Sequence, residues 1–265
     1  MIINGRALAR EMLARTKAHA DKLPRRPKVV ALVASDTPAT RSYLAMKGKR
    51  AIEAGCIFET RALGATYGDA DALIVQLPVP MGINQKEVCD TIPVEKDADV
   101  LSSGAREKFE SGDTGALLPP VVGAVREIFT RNGINPKGGR AVVIGDGWLV
   151  GNPAAVWLRQ QGAHVFVLTS KSSDLSTALK GADIIVSGAG VPHLLKPEYL
   201  KQGVVLIDAG TSESNGTIAG DANPACADKC ALFTPVPGGV GPLAVACLFE
   251  NVVTLAERRN SFILS

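Results

Sequence analysis

Short apolar runs rich in β-branched residues recur along this chain, separated by stretches with helical spacing. The runs are residues 28–34, 57–60, 72–76, 140–145, 164–168, 183–187 and 204–208. A strand covered on both faces reads as a continuous apolar run, which is how parallel sheets differ from half-exposed antiparallel ones. Residues 7–23, the segment from Pro38 or Thr40 through Ile52, and residues 85–91, 118–132, 153–161, 174–180 and 243–258 have the spacing or the end signals of helices. Pro119 and Pro120 open the fourth of these helices, since proline fits a first helical turn. Strand, helix and strand alternate most regularly from residue 140 onward. That pattern predicts a doubly wound, Rossmann-type parallel sheet in the second half of an α/β chain.

The chain has 265 residues, 46% hydrophobic and 21% charged, the balance of a globular α/β enzyme of one or two domains. A net charge of +3 is too small to argue for nucleic acid. No run approaches the roughly 18 apolar residues of a membrane span. The start, Met1-Ile2-Ile3-Asn4-Gly5, lacks the basic segment and apolar stretch of a leader. Cys56, Cys89, Cys226, Cys230 and Cys247 stand mostly in apolar contexts and are expected to be buried free thiols in a reducing cytoplasm. Cys226 and Cys230 are four apart, a spacing compatible with one helix face, but no further Cys or nearby His makes them a metal site.

The strand at 140–144 runs into Gly145-Asp146-Gly147, and Gly151 opens the next helix after Val150. Glycines there let backbone N–H groups approach a phosphate at a positive helix end. The spacing is one residue longer than the common dinucleotide fingerprint. Helix–sheet packing alone is the other use for such glycines.

Two proline-rich loops stand out. One is Thr234-Pro235-Val236-Pro237-Gly238-Gly239-Val240-Gly241-Pro242, where fixed and free φ angles make a rigid loop poor in side chains. The other is Gln76-Leu77-Pro78-Val79-Pro80, directly after an apolar run. Upstream, Tyr43 and Lys47 are at i and i+4 and share a helix face. With Lys96-Asp97-Ala98-Asp99-Val100 and the Gly145–Gly151 segment, these motifs in this order resemble the bifunctional methylenetetrahydrofolate dehydrogenase/cyclohydrolase family. The resemblance runs along nearly the whole chain.

The resemblance implies two domains with a cleft between them. Residues 1–117 and 243–265 would form the folate domain, and residues 118–242 the nucleotide domain. Lys47 would be the catalytic lysine, Gln76 its hydrogen-bond partner, and Tyr43 the wall of the pocket. A lysine in a mostly apolar cleft has a depressed pKa and can exchange protons near neutrality. Asp99 would hold the pterin through paired hydrogen bonds, with Leu77, Pro78, Pro237, Gly238 and Gly239 lining the substrate site. Gly145, Asp146, Gly147, Val150, Gly151, Ser170, Lys171, Thr211 and Gly241 would contact the cofactor, NADP, or NAD as the other possibility. No metal is expected. A cytoplasmic homodimer, without nucleic-acid or membrane partners, is the implied setting.

The residues also depart from the family pattern. Asp146 stands where arginine is common, and a carboxylate there repels a 2′-phosphate, which Lys171 could offset. Val100 replaces a glycine. Pro120 and Ala244 replace residues near the cofactor, and the segment from Ala62 to Ala70 is shortened, as if a helix were lost. A cyclohydrolase without hydride transfer and a non-catalytic folate-binding paralogue are the alternatives these changes leave open.

Overall fold

The chain, seen in a computed structural model, is described over residues 1–172, 174–214 and 217–264. It divides into two compact units. One holds residues 9–120 and 245–265, the other residues 1–8 and 121–244.

The first unit is built on three parallel strands, β1 (Lys28–Val33), β2 (Ile57–Ala62) and β3 (Ala72–Gln76), in the order β2-β1-β3. The central strand is apolar and almost wholly buried, and all five residues of β3 are buried. The edge strand β2 reads Ile-Phe-Glu-Thr-Arg-Ala and is largely solvated. Helix α1 (Gly5–Ala20) precedes β1, and α2 (Pro38–Glu53) connects β1 to β2. The Thr37 hydroxyl accepts from the Thr40 N–H at the start of α2, and Pro38 occupies its first turn. By contrast, residues 63–71 join β2 to β3 without any helix, where parallel strands ordinarily need a longer helical crossover. Two short helices follow, α3 (Gln85–Asp90) and α4 (Ser103–Glu110), capped by Asn84 and Ser102. After α5 (Pro120–Arg131), which leads into the second unit, the chain returns to the first unit within α8 (Val240–Leu264).

Helix α8 overturns one expectation. Residues 240–261 have a mean hydropathy of 1.4 and are long and apolar enough to cross a membrane. However, 61% of the most apolar stretch is buried inside the protein, as in a core helix. Asn251 on this helix donates to the carbonyls of Ala98 and Leu118, both at 2.9 Å.

The second unit carries a five-stranded parallel sheet of β4 (Arg140–Ile144), β5 (His164–Leu168), β6 (Ile184–Ser187), β7 (Val204–Asp208) and β10 (Cys230–Phe233). The order is β10-β7-β6-β4-β5. Helices α6 (Gly151–Gln160) and α7 (Leu175–Lys180) cross between strands, and β8 (Ser212–Ser214) pairs antiparallel with β9 (Thr217–Ala219). Val142, Ile185, Leu206, Leu179 and Leu195 meet in its core. The chain start extends the sheet edge: Phe233 N–H donates to the Met1 carbonyl and Ile3 N–H to the Phe233 carbonyl, each at 2.9 Å.

All five cysteines are buried and outside any disulfide. Cys226 and Cys230 do not share an α-helix face. Cys226 lies in a 3-10 turn over Pro224–Lys229, and Cys230 begins β10. The Cys230 thiol donates to the Cys226 carbonyl at 3.0 Å. Burial pushes the Cys226 thiol up to about 11 and the Cys230 thiol up to about 12, so neither is a ready nucleophile.

Candidate functional site

Gln76 is the last residue of β3, at the carboxyl edge where open α/β sheets bind ligands. Its side chain is 6% exposed and both ends of its amide are engaged. The Nε2 group donates to the Leu77 carbonyl at 2.7 Å, which turns Oε1 outward to accept from Lys47 Nζ at 3.0 Å. Lys47 lies on α2, one turn after Tyr43, so both side chains leave the same face. Tyr43 is 51% exposed, a large ring with an open face. The Leu77–Pro78 peptide bond, directly after Gln76, is cis.

Asp99 is brought to the same place by a different device. The buried carboxylate of Asp97 accepts from the backbone N–H groups of Asp99 (3.2 Å), Leu101 (2.9 Å) and Ser102 (2.7 Å), which folds the loop around it. Burial pushes the Asp99 carboxyl above its ordinary pKa, the Lys47 charge pulls it down, and Asp97 pushes it up again. Lys47 therefore interacts with both Gln76 and Asp99. Directly after Asp99, Val100 sits at φ 56° with its side chain buried, a left-handed conformation that is costly for a β-branched residue.

In the second unit the chemistry is carried by missing side chains. Gly145 follows β4 at φ 88°, and a Cβ there would come 2.9 Å from the Gly188 carbonyl oxygen. A Cβ on Gly151 would lie 1.9 Å from the Gly145 carbonyl oxygen, and one on Gly188 would lie 2.4 Å from the Val150 side chain. Strand β4, its loop and α6 can close only with glycine at these positions. Gly147 faces open space, and Asp146 and Gly147 are exposed. Val150, the residue before α6, makes no side-chain cap hydrogen bond. Strand β5 lies on one side of β4 and β6 on the other, so Gly145 and Gly188 flank the point where the winding reverses, the usual dinucleotide crevice.

Ser170 and Lys171 are exposed in the turn after β5, shaped by Lys171 N–H donating to Thr169 Oγ1 at 3.3 Å. Thr211 is exposed after β7. Pro237 and Gly238 stand in the loop before α8, with the Val236–Pro237 bond cis and Gly238 at φ 108°. The neighbouring Gly239 is needed for packing: a Cβ there would come 2.6 Å from the Pro235 oxygen, and one on Gly5 would come 1.8 Å from the Gly239 oxygen. Gly241 faces open space. The structure thus collects Tyr43, Lys47, Gln76, Leu77, Pro78 and Asp99 in the first unit. Pro237, Gly238, Gly239 and the cofactor candidates belong to the second.

One feature of the crevice is not foreseen from the sequence. Asp221 is fully buried and accepts from Ser187 Oγ (2.6 Å), Ala189 N–H (2.7 Å) and Val191 N–H (2.8 Å). Beside it, Asp208 accepts from the N–H groups of Ala222 (2.8 Å), Gly210 (3.0 Å) and Asp221 (3.2 Å). The two carboxylates tie together the loops that follow β6 and β7. Desolvation raises the Asp208 carboxyl to about 6, with Asp221 adding to the rise and the backbone N–H groups opposing it. The signal in the sequence was the pair of glycines next to them. A Cβ on Gly210 would lie 2.1 Å from Asp221, and one on Gly220 would lie 2.2 Å from Asp208.

Comparison with known proteins agrees with both halves. Residues 3–99 match the tetrahydrofolate dehydrogenase/cyclohydrolase catalytic domain, and residues 119–260 match its NAD(P)-binding domain. The bifunctional protein FolD of Thermotoga maritima is 33% identical over 98% of this chain and all of its own length. Among solved structures, the bifunctional FolD methylenetetrahydrofolate dehydrogenase/cyclohydrolase of Campylobacter jejuni superposes with a TM-score of 0.92, at 29% identity, over 98% of this chain and 99% of its own. The Trypanosoma brucei enzyme, solved with NADP cofactor and an inhibitor, gives 0.90 at 28% identity over 98% of both chains. The chain belongs to the tetrahydrofolate dehydrogenase/cyclohydrolase family.

Proposed function

We propose that this protein oxidises 5,10-methylenetetrahydrofolate to the 5,10-methenyl cation with NADP, then hydrolyses the cation to 10-formyltetrahydrofolate. The observation that carries this reading is the Lys47–Gln76 hydrogen bond at 3.0 Å, in a family that unites the two activities. Asp99 accepts the paired N–H donors of the pterin edge, and Tyr43 covers a face of the ring system. In the hydrolysis, water adds to the methenyl carbon, the bond from that carbon to N5 breaks, and one proton is released. Lys47 handles that proton. Gln76, pinned by the Leu77 carbonyl, orients the lysine and keeps it directed at the reacting carbon.

The glycine crevice of the second unit fits a dinucleotide. Gly145, Gly151 and Gly188 exclude any side chain, the start of α6 offers a positive helix end, and Gly147 leaves open room. Bound NADP supplies the hydride acceptor. Asp146 is exposed in this loop and disfavours a 2′-phosphate, while exposed Lys171 after β5 favours one. Their balance sets the choice between NADP and NAD. A homodimer formed through this unit is supported by β5, the outer strand of its sheet, whose Phe166 is exposed beneath the Arg140 guanidinium, 4.2 Å from the ring centre. Five buried thiols outside any disulfide suit a reducing cytoplasm.

The test is a spectroscopic assay of the purified chain with 5,10-methylenetetrahydrofolate and either NADP⁺ or NAD⁺, followed by methenyl hydrolysis in the same cuvette. Reduced cofactor should appear and the methenyl signal should then decay faster than in buffer. Hydrolysis with neither cofactor reduced would leave a cyclohydrolase alone. Neither reaction would leave a folate-binding protein.

A further inference from the structure

We infer that the first unit holds a second ligand site, for a small anionic amphiphile, in a cavity away from the Lys47–Gln76 pair. The cavity measures about 560 Å³, within the range of small-molecule pockets. It borders Asp71, immediately before β3, whereas Gln76 ends that strand. The length of β3 puts those two residues roughly 16 Å apart, and although Val100, the residue after Asp99, lines the cavity, none of Tyr43, Lys47, Gln76 and Asp99 does. Val94, Val100, Leu117 and Leu255 supply apolar wall.

The short connection between β2 and β3 borders this space. Its last residue, Asp71, lines the cavity, and Lys96 turns its ammonium to the Ala70 carbonyl and to the Tyr67 ring. No crossover helix lies in that connection. The apolar wall thus opens beside a link that carries no helix of its own to cover it.

The charges at the cavity are unbalanced toward positive. Asp71 is neutralised by Arg25 at 2.7 Å and Arg259 at 2.9 Å. Asp97 spends its oxygens on three backbone N–H groups. Among the described residues, Glu95 is the one carboxylate of the lining left exposed. Against it stand Lys108 and Arg258, both exposed and neither meeting a carboxylate among the described residues. An apolar body with a single carboxylate head matches this lining: the chain rests on the apolar wall and the head meets Lys108 and Arg258.

Octanoate and 1-octanol are the probes, titrated calorimetrically into the full chain. Octanoate should bind with one-to-one stoichiometry and about tenfold more tightly than 1-octanol. The double variant Lys108→Glu/Arg258→Glu changes only exposed side chains. It should lose that preference while keeping its melting temperature and its octanol affinity. Ala116→Trp, which puts a large ring into the cavity, should abolish both. Equal binding of acid and alcohol, a preference that survives the charge reversal, or binding that survives Ala116→Trp would each overturn the inference. So would an absence of octanoate binding below about 1 mM.

Discussion

The two units solve the problem of holding a ligand in opposite ways. In the first, side chains are positioned: Gln76 is pinned by its neighbour's carbonyl and presents one oxygen to Lys47. In the second, side chains are removed, and Gly145, Gly151 and Gly188 let backbone meet backbone. Beneath this difference lies a shared device. Each unit buries an aspartate whose oxygens gather the N–H groups of a loop, Asp97 in the first and Asp221 in the second. Proton chemistry needs a group at a defined point, whereas a pyrophosphate needs access to several N–H groups at once. The loops differ accordingly, and the aspartates that shape them do not.

That comparison breaks most visibly at the two aspartates. Asp221→Ala strands the Ser187 hydroxyl and two backbone N–H groups in the interior. It should cost roughly 3–5 kcal/mol in chemical denaturation. Asp97→Ala should cost about as much by the same mechanism. The ligand effects should separate: Asp97→Ala weakens folate binding through Asp99 and spares NADP, and Asp221→Ala does the reverse. Binding titrations of each ligand to each variant check this, and a crossed result would dissolve the comparison.

A smaller effect belongs to the second unit. Desolvation holds Asp208 at about 6 in the folded chain, above the unfolded value near 3.9. Its contribution to stability is therefore fully present below about pH 4 and is lost as pH rises through about 6, by up to roughly 3 kcal/mol. Urea unfolding of the wild type and Asp208→Asn across that window should show the variant with the flatter pH dependence.

Gly151→Ala sharpens the nucleotide side. Its new methyl lies 1.9 Å from the Gly145 oxygen, so the loop must open, at about 1–3 kcal/mol. NADP affinity should fall, with folate affinity intact. The smallest change expected is at Asp146. Asp146→Arg should shift the NADP-to-NAD preference by about tenfold, or ~1.4 kcal/mol, measured as a ratio of kcat/KM values.

Much of this was legible in the chain because it is local. Runs buried on both faces announced β1, β3, β4, β6 and β7, and Gln76 was readable as the end of a strand. What escaped depends on distant partners. Strand β10 is four residues long, and its edge is completed by Met1 and Ile3, far away in sequence. Helix α4 has few apolar residues, and its Ser102 cap was its main signal. Cys226 and Cys230 have helical spacing, but a 3-10 turn ends between them. Asp208 and Asp221 were hidden because neither has a partner nearby in a recognisable motif. Their neighbours Gly210 and Gly220 explain themselves only once Gly210 is seen against Asp221 and Gly220 against Asp208.

The central claim is that Lys47, oriented by Gln76, opens the methenyl ring. The most direct measurement is the hydrolysis rate of 5,10-methenyltetrahydrofolate by Lys47→Met, with folate binding to the variant measured alongside. The rate should fall by roughly 10²–10⁴-fold while folate still binds. A variant that binds folate and hydrolyses it at the wild-type rate would contradict the account.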